Sequence, residues 1–426
     1  MSRLAEILFL AHRIPYPPTK GDKIRAYHFL AHLARRHAVH LACFVDDPGD
    51  WQHTDHLRTL CAECHFAALP RARVWSRTWR ALLRDQALSV AVLDDAGLAG
   101  WTGTLVRRRP IRCVFAYSAA MAQFFPRGLA CGVRRIIDFV DVDSEKWGEM
   151  AAYRRWPLSW LCRRERERLR AFDRAAAAQC DHCLFVSPAE AQAFQQLIPC
   201  APDKIVVVPN GVDSGHFAPA LGLPCPFGPG GPVIVFTGDM SYWPNEDAVL
   251  WFARHVLPRL RAEHPELRFV VIGRRPGRRL RRAAVRLGVT LTGAVPDVRP
   301  FLAHAAVAVA PLRIAQGVPN KVLEAMAMAK AMVATPAAVR GLRVRTGRDL
   351  VVAADPDTFA RATAHALDPQ FARGLGARAR ARVLADYAWA PSLRLLDRLV
   401  APVALKRREG RRAADGPPPR SLPGEP

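Results

Sequence analysis

The chain has 426 residues, half of them hydrophobic, and a formal net charge of +24. At about 150 residues per domain, this length predicts two large or three small domains with a sizeable core. The charge comes mostly from arginines spread along the whole chain, so it favours anionic partners without singling out one site. A nucleic-acid partner is not expected, because the basic residues are not interleaved with aromatic residues in a recognition pattern.

The cysteines and the amino-terminal segment bear on location and cofactors. No apolar run is long enough to span a membrane, and MSRLAEILFLAHRIPYP lacks the cleavage region of a signal peptide. We therefore expect a cytoplasmic protein whose ten cysteines are reduced. CAECH at 61–65 matches a haem-attachment pattern, which needs export, and CDHC at 180–183 is too distant to complete a zinc site. Both pairs are predicted to be core thiols, with no cofactor or metal.

The first half alternates apolar and amphipathic segments, which predicts a βαβ series. The predicted strands cover 6–11, 39–45, 111–117, 135–140, 184–187 and 205–208. The first strand leads into the Pro-rich loop HRIPYPPTKGDKIR at 12–25, and open α/β sheets bind ligands at the carboxyl ends of their strands. Thr19, Lys20, Gly21 and Arg25 are therefore candidates to face a substrate, with a plain strand-to-helix connection as the alternative.

Aspartates Asp138, Asp141 and Asp143 follow or end the predicted strand at 135–140. The DVD spacing at 141–143 matches carboxylate pairs that hold a divalent metal and a diphosphate in some enzymes. Two other interpretations remain open. Asp141 or Asp143 could lie near an acceptor hydroxyl, or simply cap the helix that follows.

A helix predicted over 144–178 carries Trp147, Trp156 and Trp160 beside several arginines. Basic side chains next to tryptophans suit an anionic membrane surface, so a peripheral contact with the inner membrane is one interpretation. Glu165 and Glu167 equally permit ordinary ion pairs on a solvated helix face.

A turn at PNGVD (209–213) and the Pro- and Gly-rich segment after it predict an interdomain linker over 209–232. The domains are therefore expected over 1–208 and 233–400, with a disordered basic tail over 404–426. The second domain repeats the βαβ pattern, with strands predicted over 233–238, 269–273, 289–293 and 306–312. GRRPG at 273–277 lacks the GxGxxG spacing, which disfavours a dinucleotide oxidoreductase, although Arg274 could approach phosphates.

The segment GVPNKVLEAMAMAKAMVAT at 317–335 predicts a short helix that is apolar on nearly every side. Asn320 is a suitable N-cap. The N–H groups of the first turn, reinforced by Lys321, form a cradle for a phosphate, and Glu324 could accept hydrogen bonds from two ribose hydroxyls. The alternative is that Glu324 only complements the helix dipole.

The chain resembles the GT-B glycosyltransferases, close to family 4. The resemblance rests on VPNGVD (208–213), FTGDMSYWPNEDAV (236–249) and APLRIAQGVPNKVLEAMAMAKAMVAT (310–335), and it covers nearly the whole chain apart from the tail. HRIPYPPTKGDKIR, IDFVDVDSEKW and PNKVLEAMAM together are similar to sugar transferases of bacterial exopolysaccharide and PEP-CTERM/exosortase systems. The resemblance implies an α/β fold, with two Rossmann-like parallel-sheet domains facing each other across a cleft and the last helix packing back on the first domain.

The resemblance also implies a donor site in the second domain. Glu324 falls on the second glutamate of the family's E-x7-E pattern and would bind the donor's ribose, while Lys321, next to Asn320, would support the diphosphate. The first glutamate falls on Gln316, which would contact the donor sugar as a neutral amide and so leaves the sugar open. Gln316, Lys321 and Glu324 are the implied catalytic residues.

Gly238 falls on the glycine of the family's first βα loop in this domain, but the Arg and Lys that often follow it are absent. Asp239 and Tyr242 stand there instead, and Arg274 or Arg313 would have to supply the missing charge. On the acceptor side, the implied residues lie in the two segments already singled out: Lys20, Gly21, Arg25, Asp141 and Asp143.

The implied function is transfer of a sugar from a nucleotide-diphosphate sugar to a glycan or lipid-linked acceptor in exopolysaccharide biosynthesis, with retention of configuration and without a metal. Three alternatives remain. They are a metal-dependent transferase site at Asp141 and Asp143, a nucleotide-sugar epimerase of the same fold, and a catalytically inactive membrane-associated scaffold. The last is considered because Gln316 replaces the family's first glutamate.

Overall fold

A computed structural model of the chain describes residues 5–18, 21–219, 222–315 and 318–401. Within them, two parallel β-sheets lie one in each half of the chain, each flanked by helices. Some sequence predictions lie outside the described residues: the sites at Thr19, Lys20 and Gln316, and the tail over 404–426.

The first sheet has seven parallel strands in the order β3-β2-β1-β4-β5-β6-β7. The strands are β1 (Glu6–Ala11), β2 (Ala38–Val45), β3 (Glu63–Ala68), β4 (Ile111–Tyr117), β5 (Arg134–Val140), β6 (His182–Phe185) and β7 (Ile205–Val207). Strand β3 was missed by the sequence analysis, because its residues ECHFAA at the sheet edge are mostly half-buried and lack an apolar run.

In the part of the chain that the structure describes, eight α-helices accompany these strands: α1 (Gly21–Ala34), α2 (Thr54–Leu60), α3 (Arg71–Leu83), α4 (Leu88–Ala91), α5 (Ala96–Arg108), α6 (Asp143–Tyr153), α7 (Leu158–Gln179) and α8 (Pro188–Leu197). Short 3₁₀ turns cover Pro48–His53, Ala119–Phe124 and Pro202–Lys204.

The single helix expected over 144–178 is a helical hairpin instead. Helices α6 and α7 are separated by residues 154–157, because Pro157 has no N–H to donate and disfavours a helical conformation at the residue before it. The two helices pack side by side. Glu145 of α6 accepts from Arg166 and Arg170 of α7 at 3.0 and 2.8 Å, so the segment 154–160 forms the tip of the hairpin.

The second sheet has six parallel strands in the order β10-β9-β8-β11-β12-β13. They are β8 (Val233–Thr237), β9 (Arg268–Ile272), β10 (Val289–Gly293), β11 (Val307–Ala310), β12 (Met332–Ala334) and β13 (Val351–Val352). Both sheets thus follow the doubly wound Rossmann order. The first strand of each sheet is central, and successive strands are added first on one side of it and then on the other.

The described residues of this half form nine α-helices: α9 (Trp243–Trp251), α10 (Leu257–Glu263), α11 (Arg278–Leu287), α12 (Arg299–His304), α13 (Asn320–Ala327), α14 (Pro336–Val339), α15 (Pro356–Ala366), α16 (Pro369–Asp386) and α17 (Trp389–Val400). A π-helical turn over Phe252–Val256 joins α9 to α10. Among the described residues, none of the helices combines the length and the apolar character needed to cross a bilayer.

Helix α17 packs on the first domain. Trp389 lies in the core beneath β1 and β4 and stacks on His28 of α1 with 4.5 Å between ring centroids, while His32 and Asp397 are 2.8 Å apart. The linker passes the same tryptophan. A Cβ atom at Gly211 would lie 2.6 Å from the Trp389 ring, so the close passage of the linker requires glycine at this position.

Candidate active site

The carboxyl edges of the two sheets face each other across a cleft, and three contacts bring them together. Arg275, after β9, donates to Asp47, after β2, at 2.5 Å. The guanidinium of Arg154 lies 5.9 Å from the ring centroid of Trp243 in α9. Gly21, at the start of α1, meets the first residue of α13 so closely that an added Cβ would lie 3.3 Å from the Asn320 amide nitrogen.

Two glycines form the floor of the second-domain side. The N–H of Gly238 donates to the carbonyl of Ile272 at 2.9 Å, so the loops after β8 and β9 run against each other. A Cβ at Gly273 would lie only 1.7 Å from the Gly238 carbonyl oxygen, and one at Gly238 would lie 2.8 Å from Lys321 Nζ. Side chains are therefore excluded from the floor, which leaves backbone within reach of a ligand.

Lys321 is the positive charge above this floor. Its Nζ donates to Asn245 Oδ1 at 2.6 Å and lies 4.1 Å from the ring centroid of Phe236. Asn245 is itself held by a hydrogen bond from Nδ2 to the carbonyl of Asp239 at 2.9 Å. The ammonium group is thus fixed where β8 ends and α13 begins.

The N-cap expectation for Asn320 is corrected by the structure. Helix α13 begins at Asn320 itself, and its cap position is Pro319, which has no side-chain acceptor. Among the described residues, the buried Oδ1 of Asn320 has no hydrogen-bond partner. A buried polar atom of this kind is uncommon, and here it lies at the mouth of the cleft beside Gly21.

Glu324 lies one turn further along α13. The neighbouring residues Val322, Leu323, Ala325 and Met326 are buried in the second-domain core, which anchors the helix. Burial raises the pKa of Glu324 to about 7 against the opposing charge of Lys321. Burial likewise lowers the pKa of Lys321 to about 7, with Glu324 opposing it. Both groups are therefore poised to change charge when a ligand reaches them.

The two arginines expected near the donor occupy different positions. Arg274 donates to Asp239 Oδ2 at 2.9 Å, which holds its guanidinium beside the Gly238 loop. Arg313 pairs with Asp247 of α9 at 2.5 Å and is largely exposed. Arg274 is therefore the better placed of the two to supply positive charge near a diphosphate.

On the first-domain side, Asp141 and Asp143 share one lysine. Lys146 Nζ lies 2.6 Å from Asp141 Oδ1 and 2.7 Å from Asp143 Oδ1, so a divalent cation between the carboxylates would have to displace it. Burial raises the pKa of Asp141 to about 6, with Lys146 opposing. Val140, just before Asp141, has a φ of +68°, which is unfavourable for a β-branched residue and turns the chain sharply at the sheet edge.

Arg25 does not face the cleft, which corrects the expectation from the sequence. Its side chain is fully buried and forms two hydrogen bonds to Asp138, at 2.6 and 3.1 Å. It also donates to the carbonyl of Val208 at 2.8 Å and to Asn210 Oδ1 at 3.0 Å. Arg25 thus joins α1, β5 and the start of the linker and has a structural role.

The loop after β1 contains a histidine that the sequence analysis did not single out. His12 Nε2 lies 3.6 Å from Asp22 Oδ2, and its ring stacks on Tyr117 with 5.7 Å between centroids. Within the described residues, His12 Nδ1 and the Tyr117 hydroxyl are buried without a hydrogen-bond partner. A histidine beside a carboxylate at this edge can accept a proton from a hydroxyl group.

The residues that the sequence analysis missed share one property. The roles of Asn245, Lys146 and His12 depend on the side chains that they contact. Asn245, for example, lies 76 positions from Lys321, whose ammonium group it orients. Lys146 alone carried a signal, because it follows Asp143 by three positions on a helix and such a pair faces one side.

The two CxxC pairs do not form a site together. None of these four cysteines forms a disulfide bond within the described residues, and Cys180 Sγ lies 3.3 Å from Cys183 Sγ. Cys64 lies in β3 and Cys183 in β6, which are far apart in the strand order of the first sheet.

Two Rossmann-like sheets facing each other across a cleft define the GT-B class of folds. Two family models match the chain, one over most of the first domain and one over the second sheet. The model described as Glycosyltransferase Family 4 matches residues 21–216, and the model described as Glycosyl transferases group 1 matches residues 231–368. The protein is a glycosyltransferase with the GT-B fold, which confirms the predicted fold class and enzyme class.

Solved structures show the same architecture over nearly the whole chain. Sucrose-phosphate synthase from Thermosynechococcus elongatus is 16% identical, with a TM-score of 0.66 over 92% of this chain and 98% of its own. HepE from Anabaena, in complex with UDP and glucose, is 14% identical, with a TM-score of 0.65 over 92% and 98%. WaaG, a glycosyltransferase involved in lipopolysaccharide biosynthesis, is 15% identical, with a TM-score of 0.65 over 92% and 99%. A comparison with curated protein sequences finds no match.

Proposed function

We propose that this protein transfers a sugar from a nucleoside-diphosphate sugar to a glycan or lipid-linked acceptor in exopolysaccharide biosynthesis, retaining the anomeric configuration and using no metal. The observation that carries the proposal is the placement of Lys321 Nζ at the junction of Gly238, Asn245 and the N-terminus of α13, with Glu324 one turn away. Binding of UDP and of UDP-glucose by HepE supports a nucleotide-sugar donor for the same fold.

In the proposed complex, the diphosphate lies between the glycine floor and the N-terminus of α13. As the bond between sugar and phosphate breaks, negative charge grows on the distal phosphate, and protonated Lys321 together with the helix dipole stabilises it. Burial lowers the pKa of Lys321 to about 7 in the free protein, and an adjacent anion favours the protonated form. The diphosphate thus promotes the charge that stabilises its own departure.

Glu324 is proposed to bind the ribose. A carboxylate accepts hydrogen bonds from two neighbouring hydroxyls, and such bonds favour the ionised form over the protonated form that burial promotes. Gln316, which precedes α13, is proposed to contact the donor sugar.

The acceptor is proposed to approach from the first-domain side of the cleft. His12, Asp141 and Gly21 all lie at or just beyond the carboxyl edge of the first sheet, opposite the donor residues. Retention by front-face attack requires the acceptor hydroxyl to lie beside the departing phosphate. The close approach of Gly21 to Asn320 supports such a short path between the two sides.

The test is calorimetric titration of the protein with a panel of nucleotide sugars. We expect saturable binding of at least one donor, and a loss of at least about tenfold in affinity in Glu324→Ala, since two hydrogen bonds to a charged group are removed. Glu263→Ala, at an exposed position at the end of α10, is the matched control and should bind normally.

Two outcomes would contradict the proposal. One is the absence of saturable binding to any donor, which would favour a scaffold without catalysis. The other is the appearance of an epimeric nucleotide sugar when the donor is incubated alone, since an epimerase needs no acceptor.

A further inference from the structure

Large exposed hydrophobic side chains are concentrated on one part of the first domain. Among the described residues, ten large hydrophobic side chains are strongly exposed, and six of them belong to helix α3 or to the α6–α7 hairpin tip. An uneven distribution of this kind marks an interaction surface, because single exposed hydrophobic residues are otherwise scattered.

Three of the six lie on α3. Trp75, Trp79 and Leu83 are 69%, 63% and 86% exposed, and their spacing of four residues places them along one face of the helix. The opposite side of the helix is anchored. Arg77 donates to the carbonyl of Val92 at 2.8 Å, and Ala81 is buried, so the tryptophan face points away from the domain.

The other three lie at the tip of the hairpin. Trp156, Leu158 and Trp160 are 80%, 52% and 53% exposed, and they surround the bend between α6 and α7. Glu165 anchors this end of α7 to the rest of the domain. Its carboxylate accepts from the backbone N–H groups of Leu88 and Ser89 at 2.7 and 2.8 Å.

One arginine connects the two groups. Arg164 of α7 donates to the carbonyls of Ala81 at 3.3 Å and Gln86 at 3.1 Å, and it pairs with Asp85 at 3.0 Å. Trp160 lies one turn before Arg164 on the same face of α7, so it lies on the side of α7 that faces the carboxyl end of α3. The six side chains therefore form one surface: Trp75, Trp79, Leu83, Trp156, Leu158 and Trp160. It is named here the Trp–Arg surface, for its tryptophans and for the arginines that flank them.

The charge around these side chains is mainly positive, although Asp85 pairs with Arg164 and Arg168 close to Leu83. Residues 71–84 contain five arginines and residues 150–164 contain four, and neither segment contains an aspartate or a glutamate. Arg80, Arg84, Arg155 and Arg163 are exposed. Arginines that flank exposed tryptophans match an anionic bilayer, where the rings enter the interface and the guanidinium groups meet lipid phosphates.

We propose that the Trp–Arg surface docks the protein on an anionic phospholipid membrane. The position of the surface relative to the cleft supports this partner over an acidic protein. Arg154, at the hairpin tip, contacts Trp243 of the second domain, so the surface adjoins the mouth of the cleft. On the function proposed above, docking would hold that mouth at the bilayer, where a lipid-linked acceptor would lie. The docking surface itself does not depend on the identity of donor or acceptor.

The experiment is flotation of the full chain with phosphatidylglycerol-containing vesicles and with purely phosphatidylcholine vesicles. The first variant, Trp75→Ser/Trp79→Ser/Leu83→Ser, removes apolar side chains that make few contacts, and we expect at least about tenfold weaker binding to the anionic vesicles. Its control, Val285→Ser/Leu384→Ser, changes exposed apolar residues of α11 and α16 and should bind normally.

A second variant tests the charge. An arginine near an anionic leaflet contributes about fivefold to binding, so Arg80→Glu/Arg155→Glu is expected to weaken binding by at least about 25-fold. The control Arg281→Glu/Arg282→Glu makes the same change on the exposed face of α11 and should lose far less. Nucleotide-sugar binding without vesicles should be the same in all four variants, which separates this proposal from that of the donor site.

The proposal is overturned if the protein binds neutral and anionic vesicles equally, binds neither, or loses binding to the same extent in the controls. It is also overturned if an acidic protein or a single-stranded oligonucleotide binds through these residues while anionic vesicles do not.

Discussion

Two half-buried lysines, one on each side of the cleft, show opposite electrostatics. For Lys146, burial would lower the pKa, but the carboxylates of Asp141 and Asp143 outweigh it and raise the pKa. For Lys321, burial prevails over the single opposing charge of Glu324 and lowers the pKa to about 7. The first lysine is neutralised by its own chain, whereas the second is held by the neutral Asn245 and Phe236.

This difference between the two lysines distinguishes a structural role for Lys146 from a ligand-binding role for Lys321. A buried charge costs free energy unless it is paired, and a protein retains an uncompensated one where a ligand supplies the partner. Lys146 and the Arg25–Asp138 pair hold the first domain together at its sheet edge. Lys321 faces the side where an anionic diphosphate is proposed to bind. The following predictions test this division, from the largest expected effect to the smallest.

The buried Arg25–Asp138 pair should be the most sensitive to substitution. Arg25→Ala leaves Asp138 buried without its partner, so we expect the free energy of unfolding to fall by about 3–5 kcal/mol in urea denaturation. Arg36→Ala is the control. It removes an exposed pair with Asp397 and should cost about 1 kcal/mol or less. Equal losses in the two variants would contradict a structural role for Arg25.

Lys321→Ala should weaken nucleotide-sugar binding by about 2 kcal/mol, or about 30-fold, because a charged hydrogen-bond donor to the diphosphate is lost. Folding stability should change little, since burial already disfavours the charge that is removed. Lys146→Ala should do the opposite, destabilising the first domain by leaving Asp141 and Asp143 unpaired while donor affinity stays constant. Calorimetry and urea denaturation on both variants check the pair. Unchanged donor affinity in Lys321→Ala would contradict the proposed diphosphate site.

Donor affinity should depend on pH through Lys321. The lysine is protonated below its pKa of about 7 and neutral above it, so affinity for an anionic donor should fall by up to about tenfold per pH unit above that value. An intact nucleotide sugar has no phosphate monoester, so the ligand itself does not titrate there. Lys321→Arg keeps its charge and should remove the fall in affinity above pH 7. Glu324, whose pKa is raised to about 7, is protonated below that value, so ribose binding should weaken there in both proteins. A flat profile in the unmodified protein would argue against the lowered pKa.

The smallest effect is expected from a chelator. Because Lys146 occupies the position between Asp141 and Asp143, EDTA should leave donor binding and nucleoside-diphosphate release unchanged, whereas Glu324→Ala should impair both. Loss of activity with EDTA, its recovery with Mn²⁺ and survival of activity in Glu324→Ala would instead support a metal site at the two aspartates.

Much of the fold could be predicted from local sequence. The strands predicted over 6–11, 111–117 and 289–293 have the observed bounds, because apolar and β-branched residues predominate in each. The short strands β3 and β13 have mixed burial and no clear period, so the sequence carried no comparable signal. The break between α6 and α7 was predictable from Pro157, but the arginine-rich helical pattern on both sides obscured it.

The candidate site divides in the same way. Lys321 was identified because it lies in the first turn of a predicted helix, and Glu324 because it is the acid in that otherwise apolar helix. Their roles stay predictions that the experiments above test. Arg25 was misinterpreted, since nothing near it in sequence indicates Asp138, which lies 113 positions away. Asn320 was expected to cap α13, yet the helix begins at that residue after a proline.

The sequence by itself determined the parallel-sheet architecture, the second-domain helix with its lysine and glutamate, and the resemblance to GT-B glycosyltransferases, because periodicity and helix-start residues act over a few positions. Only the tertiary structure decided which charges are neutralised inside the protein and which are not. That outcome depends on partners brought together from distant segments, such as Asp138 for Arg25 and Asn245 for Lys321. The pKa of a buried group follows from those partners and from its burial, and neither can be read from neighbouring residues.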